Sequence, residues 1–174
     1  DEELTALALE MREPWYEKAM GRPLVYMFPG SATLSPRLKD LCAKLSVAEP
    51  YVVAMVCEPP SVDPMAYANA DAISAYACTE PGPDPAAYCD MAVLWNGIRA
   101  TSKLPVVPHF STGWNPTPRM EIPTPWTYYP NKPWAPKLSE ENWLDQARKL
   151  RAWTERNERV CPTGHVMAFA WNEF

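Results

Sequence analysis

Three kinds of side chain in this sequence are placed to do chemistry. The first is a carboxylate at the end of an apolar run: Val166-Met167-Ala168-Phe169-Ala170-Trp171 leads directly into Asn172-Glu173. A strand of that composition carries Glu173 from an apolar core into a cleft, where burial can tune its pKa for work as a general base or nucleophile. Glycoside hydrolysis uses two such carboxyl groups flanking the scissile bond. A solvated strand-end glutamate, or the partner of an arginine, is the plainer reading of the same position. The second group follows the apolar stretch Leu104 to Pro108: His109, then Ser111-Thr112-Gly113-Trp114-Asn115 and, further on, Arg119. His109 can orient a hydroxyl or a carboxylate, or can be a satisfied strand-end histidine. Trp114 offers a flat apolar face for a sugar ring, or caps the core from a loop. Arg119 can bind a carboxylate, or hold its long loop through backbone carbonyls. The third group is Tyr76 and Glu58, each at the end of an apolar run. Tyr76 can hydrogen-bond substrate or the catalytic glutamate, and Glu58 reads as a further cleft acid or as a surface residue.

The elements that would position them alternate. Five short runs have the length and β-branched content of buried parallel strands: Leu24 to Phe28, Tyr51 to Val56, Ala72 to Tyr76, Leu104 to Pro108 and Val166 to Trp171. Helical patterns separate them. Ser35-Pro36 reads as an N-cap and first-turn proline ahead of Leu38, Leu41, Cys42 and Leu45, and Asp84-Pro85 repeats the device ahead of Tyr88, Met91, Leu94, Trp95 and Ile98. A third helix begins at Ser139 with Trp143, Ala147, Leu150 and Trp153 on one stripe. Glu3 to Met20 is helical in propensity but contains Pro14, which should kink or divide it. Residues Pro59 to Asn69 have room for one short helix.

This grammar predicts an α/β fold of parallel βαβ units. A doubly wound sheet competes with a (β/α)8 TIM-barrel, but no Gly-rich nucleotide loop follows any strand, and the polar and aromatic residues gather after strand C-termini, as on a barrel rim. Five strands describe an incomplete barrel. Residues 1–174 are therefore expected to form the C-terminal part of a single barrel domain, open at both ends, with roughly three strands preceding Asp1. Two unpaired edges should then associate with the remainder of the barrel or aggregate. The connection from Phe110 to Leu138 far exceeds the usual ~2 to 6 residues, and its aromatic stretch from Trp126 to Trp134 reads as a subsite wall.

Composition narrows the partners. A formal charge of -5 without a Lys/Arg run argues against a nucleic-acid surface, which needs clustered cations. No stretch reaches the ~18 to 20 apolar residues of a membrane span, and Asp1-Glu2-Glu3 does not resemble the basic start of a signal peptide. The five cysteines (Cys42, Cys57, Cys78, Cys89, Cys161) have neither C-x-x-C spacing nor histidines at zinc-ligand distance, so most read as small buried side chains, with room for one disulfide. No metal cluster, nucleotide loop or cofactor lysine stands out, and no cofactor is expected.

Two motifs carry a resemblance. Ala170-Trp171-Asn172-Glu173-Phe174 resembles the last-strand signature of the family 99 glycoside hydrolases and their WbsX-like bacterial relatives, in which Asn-Glu-aromatic-x-Glu closes the barrel. Val106-Val107-Pro108-His109-Phe110-Ser111-Thr112-Gly113-Trp114-Asn115-Pro116-Thr117-Pro118-Arg119 is similar to the preceding strand and its Gly-Trp-Asp-x-x-Pro-Arg loop, with Asn115 in place of the aspartate. Ala70 to Tyr76 suits the strand before. The resemblance implies a retaining glycosidase on an α-linked, mannoside-like glycan. The first Glu of an E-x-x-E pair assists the sugar's own 2-hydroxyl as base, giving an anhydro-sugar intermediate, and the second is the general acid. Glu173 matches the first position. The second falls two residues past Phe174, so residues 1–174 alone are expected to be inactive. Asn172, Trp171, Trp114, Asn115, Tyr76, His109 and Arg119 are the implied substrate-binding residues, and an extracellular or periplasmic setting is implied. A non-hydrolytic glycan-binding or polysaccharide-biosynthesis protein on the same barrel is the alternative.

Overall fold

The structure, a computed structural model, describes residues 2–28, 31–56, 67–75, 91–111 and 139–169. Helix α1 (Glu2–Glu10) leads to the short strand β1 (Lys18–Ala19), followed by β2 (Arg22–Met27), α2 (Ser31–Lys44), β3 (Tyr51–Val56), β4 (Ala72–Ala75), α3 (Met91–Ser102), β5 (His109–Ser111), α4 (Glu140–Arg156) and β6 (Met167–Phe169). All six residues of β3 are buried, which is why it reads as an unbroken apolar run: a central parallel strand is covered on both faces. Strand β2 pairs with it in parallel (Leu24↔Tyr51, Met27↔Ala54), and β4 pairs on the other side (Val53↔Ala72, Val56↔Ala75). The next strand in the chain joins β4 through the single parallel bridge Ile73↔Val106. Three residues later it becomes β5, paired in parallel with β6 at His109↔Met167 and Ser111↔Phe169. The expected strand Leu104 to Pro108 is thus shifted: its middle bridges one neighbour and its continuation pairs with the other.

Two further expectations are corrected. The first segment is not helical to Met20; α1 stops at Glu10, ahead of Pro14, and Lys18–Ala19 instead pairs antiparallel with Arg22 and Pro23. The two-residue loop Met20-Gly21 has φ of 53° and 76°, the left-handed pair that a tight hairpin of type I′ requires. Helix α2 begins at Ser31, so Pro36 lies inside it and Ser35 is not its cap. A proline there removes the N–H that would bond the carbonyl of Ala32, four residues back. Asn69 replaces it: its Nδ2 donates to the Ala32 carbonyl at 3.0 Å, while the Ser35 hydroxyl donates to the Asn69 carbonyl at 2.9 Å. A remote side chain thereby supplies what the local sequence lacks. The cap at Ser139 is as expected, its hydroxyl accepting from the Asn142 N–H at 3.2 Å, with Glu140 and Glu141 in the first turn. The stripe of α4 is rotated slightly, burying Gln146 with Leu150 and Trp153.

The described helices all pack on one face of the sheet. Val25, Met27 and Val52 pack against Ala8, Leu38 and Cys42. Val56, Ile73, Ala75 and Val106 pack against Trp95, Ile98, Leu150 and Trp153, where the two tryptophan rings lie 5.2 Å apart. Val52 and Val56 share a face by the period of two, so both clusters belong to the same side. The opposite face carries Leu24, Tyr26, Tyr51, Val53, Ala72 and Val107 with Ala19 of β1. The result is a mixed α/β fold whose curled sheet has its described helices outside. Cys42 and Cys161 are buried free thiols; burial pushes Cys161 up to about 11. Among the described residues, no helix is long and apolar enough to cross a membrane.

The strand starts are tied together by charge. Arg22 reaches Asp71 through two bonds, 2.9 and 3.1 Å, and also touches Glu49 at 3.2 Å. Lys39 bridges Glu49 and Asp71, and the Val52 N–H donates to Asp71 at 3.0 Å. Burial pushes the Asp71 carboxyl up, but the bonds from Arg22 and Val52 and the charge of Lys39 outweigh it and hold it below the usual range. Elsewhere, His165 just before β6 meets Glu17 just before β1, Nε2 to Oε1 at 2.9 Å. This contact joins segments 148 residues apart.

Candidate functional site

Of the catalytic and substrate-binding residues expected from the sequence, His109 is the one that lies among the described residues. Glu58, Tyr76, Trp114, Asn115, Arg119, Trp171, Asn172 and Glu173 lie outside them, as do the aromatic stretch Trp126 to Trp134 and the helix start at Asp84-Pro85.

His109 opens β5, two residues beyond Val107, the spacing that returns a side chain to the same sheet face. Val107 belongs to the cluster on the helix-free face. The backbone here is held from several sides. The Ser74 hydroxyl donates to the Val107 carbonyl at 2.7 Å, the Met167 N–H to the Pro108 carbonyl at 3.0 Å, and the Trp95 indole N–H to the His109 carbonyl at 3.0 Å. Each contact comes from a different element: β4, β6 and α3.

The His109 side chain is fully buried, and neither Nδ1 nor Nε2 has a hydrogen-bond partner among the described residues. These are the unpaired buried side-chain nitrogens among the described residues, and they do not match the reading of a satisfied strand-end histidine. Desolvation pushes the ring down to about 4, so at neutral pH it carries one N–H and one lone pair and no charge. A side chain in this state can orient or exchange a proton with a neutral group but cannot serve as a fixed cation.

The positioning residues Ser74 and Trp95 carry no motif signal. Trp95 reads from sequence as one of several apolar residues on a helix face, and its indole N–H toward β5 is a tertiary contact. The ion-pair cluster of Arg22, Lys39, Glu49 and Asp71 sits where β2, β3 and β4 begin, whereas His109 follows the bridge that continues the sheet toward its other end. Two surface hollows are lined by residues other than His109. One of about 370 Å³ is lined by Arg99, Arg156, Arg159, Glu155 and Glu158 at the end of α4, and one of about 160 Å³ by Arg37, Asp40 and Lys44 beside α2. No group of His, Cys, Asp and Glu among the described residues is arranged to hold a metal ion. No family model matches the chain, and neither a curated protein nor a solved structure matches it.

Proposed function

We propose that the chain is the C-terminal part of a (β/α)8-barrel glycosidase of the family 99 type, cleaving an α-linked, mannoside-like glycan with retention. The observation that carries this reading is the parallel pairing of β5 with β6 at His109↔Met167. The two stretches that resemble the family, 106–119 and 166–174, thus begin on neighbouring strands running the same way, as a shared active-site rim requires. The packing of the described helices on a single sheet face supports a barrel over a doubly wound sheet, which carries helices on both faces. In this reading Glu173 is the base that assists the sugar 2-hydroxyl. Trp171, Asn172, Trp114, Asn115, Tyr76, His109 and Arg119 bind substrate, and a second carboxyl three residues after Glu173 is the acid.

The test is Glu173→Gln in the complete protein, assayed on an α-mannan oligosaccharide. Removal of a general base costs about 10² to 10⁴ in turnover, with binding retained. Wild-type turnover in the variant would sink the mechanism.

A further inference from the structure

Strands β2 to β6 run in parallel and begin at one end of the curled sheet. Strand β1 turns back at that end. Lys18–Ala19 pairs with Arg22 and Pro23, and Ala19 is buried with Leu24, Tyr51, Val53, Ala72 and Val107, so the hairpin is seated on the helix-free inner face. The Leu24 N–H donates to the Glu17 carbonyl at 2.9 Å. The Glu17 carboxylate in turn reaches the His165 ring, Oε1 to Nε2 at 2.9 Å, two residues before β6 begins. Because β2 and β6 lie at opposite ends of the strand order, this one contact spans the starting end of the sheet.

The ring sits between two acceptors. Its Nδ1 lies 3.0 Å from the Thr163 carbonyl and its Nε2 faces the carboxylate. A neutral imidazole has one N–H and one lone pair, so in either tautomer it sets a lone pair against an oxygen; the imidazolium donates to both. Histidine changes between these forms at about pH 5 to 8. The groups around the pair leave that step to the ring. The His165 hydrogen bond, against burial, holds the Glu17 carboxyl below its usual range, and the Lys18 N–H also donates to it. Tyr26 of β2, pushed up by burial and by the Glu17 charge, stays neutral, as does His109, which pairs with Met167. Among the described residues no other ion pair reaches Glu17 or His165.

We propose that Glu17 and His165 form a pH-dependent strap that ties the β1 hairpin to the start of β6, fastened while the ring is an imidazolium and released when it is neutral. The strap is tightest in mildly acidic solution. It weakens as pH rises through the histidine range and, because the Glu17 carboxyl is held low, also weakens as pH falls below the ordinary carboxylate range. The Glu17 side chain is 71% exposed and that of His165 22%, so water screens the pair and the effect is local. It does not depend on the glycan reading.

The test is native-state amide hydrogen exchange in the full chain, corrected for the intrinsic effect of pH on exchange chemistry. Two amides report on the two sides of the strap: Leu24, bonded to the Glu17 carbonyl, and Met167, bonded to the Pro108 carbonyl. Val53, buried in the middle of β3, is the reference for global opening. Between pH 5.5 and 8 the Leu24 and Met167 amides should open about two- to fivefold more often, relative to Val53. In Glu17→Gln, a change at an exposed side chain, both should stay at the pH 8 level throughout. His109 is common to the two proteins and pushes stability the opposite way with pH, so it cannot imitate this result. Equal pH responses in wild type and Glu17→Gln, no response in wild type, or a response of Leu24 without Met167 would overturn the proposal.

Discussion

Acid should unfold this chain partly through one side chain, His109. Its ring is fully buried, and burial lowers it from the ordinary 6.5 to about 4. In the unfolded chain the ring takes a proton near 6.5; in the folded chain it resists until about 4. Between those values the unfolded state binds more protons, so stability rises with pH across the window and is lost as pH falls through it. Each pH unit is worth about 1.4 kcal/mol, so the window amounts to about 3 kcal/mol, a large share of the ~5–15 kcal/mol of a typical domain. The assay is urea denaturation followed by tryptophan fluorescence at intervals from pH 7 to 4.5, for the wild type and for His109→Leu. Leucine cannot titrate and leaves no orphaned nitrogen, so the variant should be at least as stable as wild type near pH 5. Its stability should fall less steeply below pH 6.5. His165 and every carboxylate are common to both proteins and cancel in the comparison. Parallel pH profiles for the two would refute the assignment of a neutral, desolvated ring to His109.

Other perturbations test the scaffold. Asn69→Gly keeps the left-handed backbone of φ 65° but removes the donor to the Ala32 carbonyl. It should cost about 1 kcal/mol in wild type and markedly less in a Pro36→Ala background, where the backbone N–H returns; strictly additive effects in the double-mutant cycle would show that the two are not coupled. Asp71→Asn leaves Arg22 and Lys39 facing a neutral amide and should destabilise the fold by ~1–3 kcal/mol at neutral pH. Because the Asp71 carboxyl is held below its usual range, its contribution is present above the ordinary carboxylate pKa and lost as pH falls below it. The gap between wild type and variant in thermal denaturation should therefore close toward acid pH, and a gap that widens there would contradict the sign.

Much of the architecture was legible in the residues because local physics dictated it. Tyr51–Val56 reads as a strand at its true bounds, since a strand buried on both faces must be apolar without a break. Ser139 starts its helix because a hydroxyl in that position satisfies an otherwise unpaired backbone N–H, and Pro14 ended the first helix as its ring geometry predicts. The errors arose where a distant partner changed the local balance. Ser35-Pro36 resembles a helix start, yet the helix runs through it because Asn69, from a segment 37 residues away, bonds the carbonyl that Pro36 abandons. Leu104 to Pro108 has strand composition, but which residues pair depends on β4 and β6, and the register moved to His109–Ser111.

The same division holds for the candidate site. The sequence alone marks Glu173 and His109 by type and by position at the ends of apolar runs. Only the tertiary structure decided what kind of histidine His109 is. Exposed, it would be an ordinary titrating ring; buried, with its backbone carbonyl held by the Trp95 indole, it is a neutral group whose two ring nitrogens have no partner among the described residues. Burial and partners depend on what other parts of the chain bring to a residue, so no local pattern could have revealed that state.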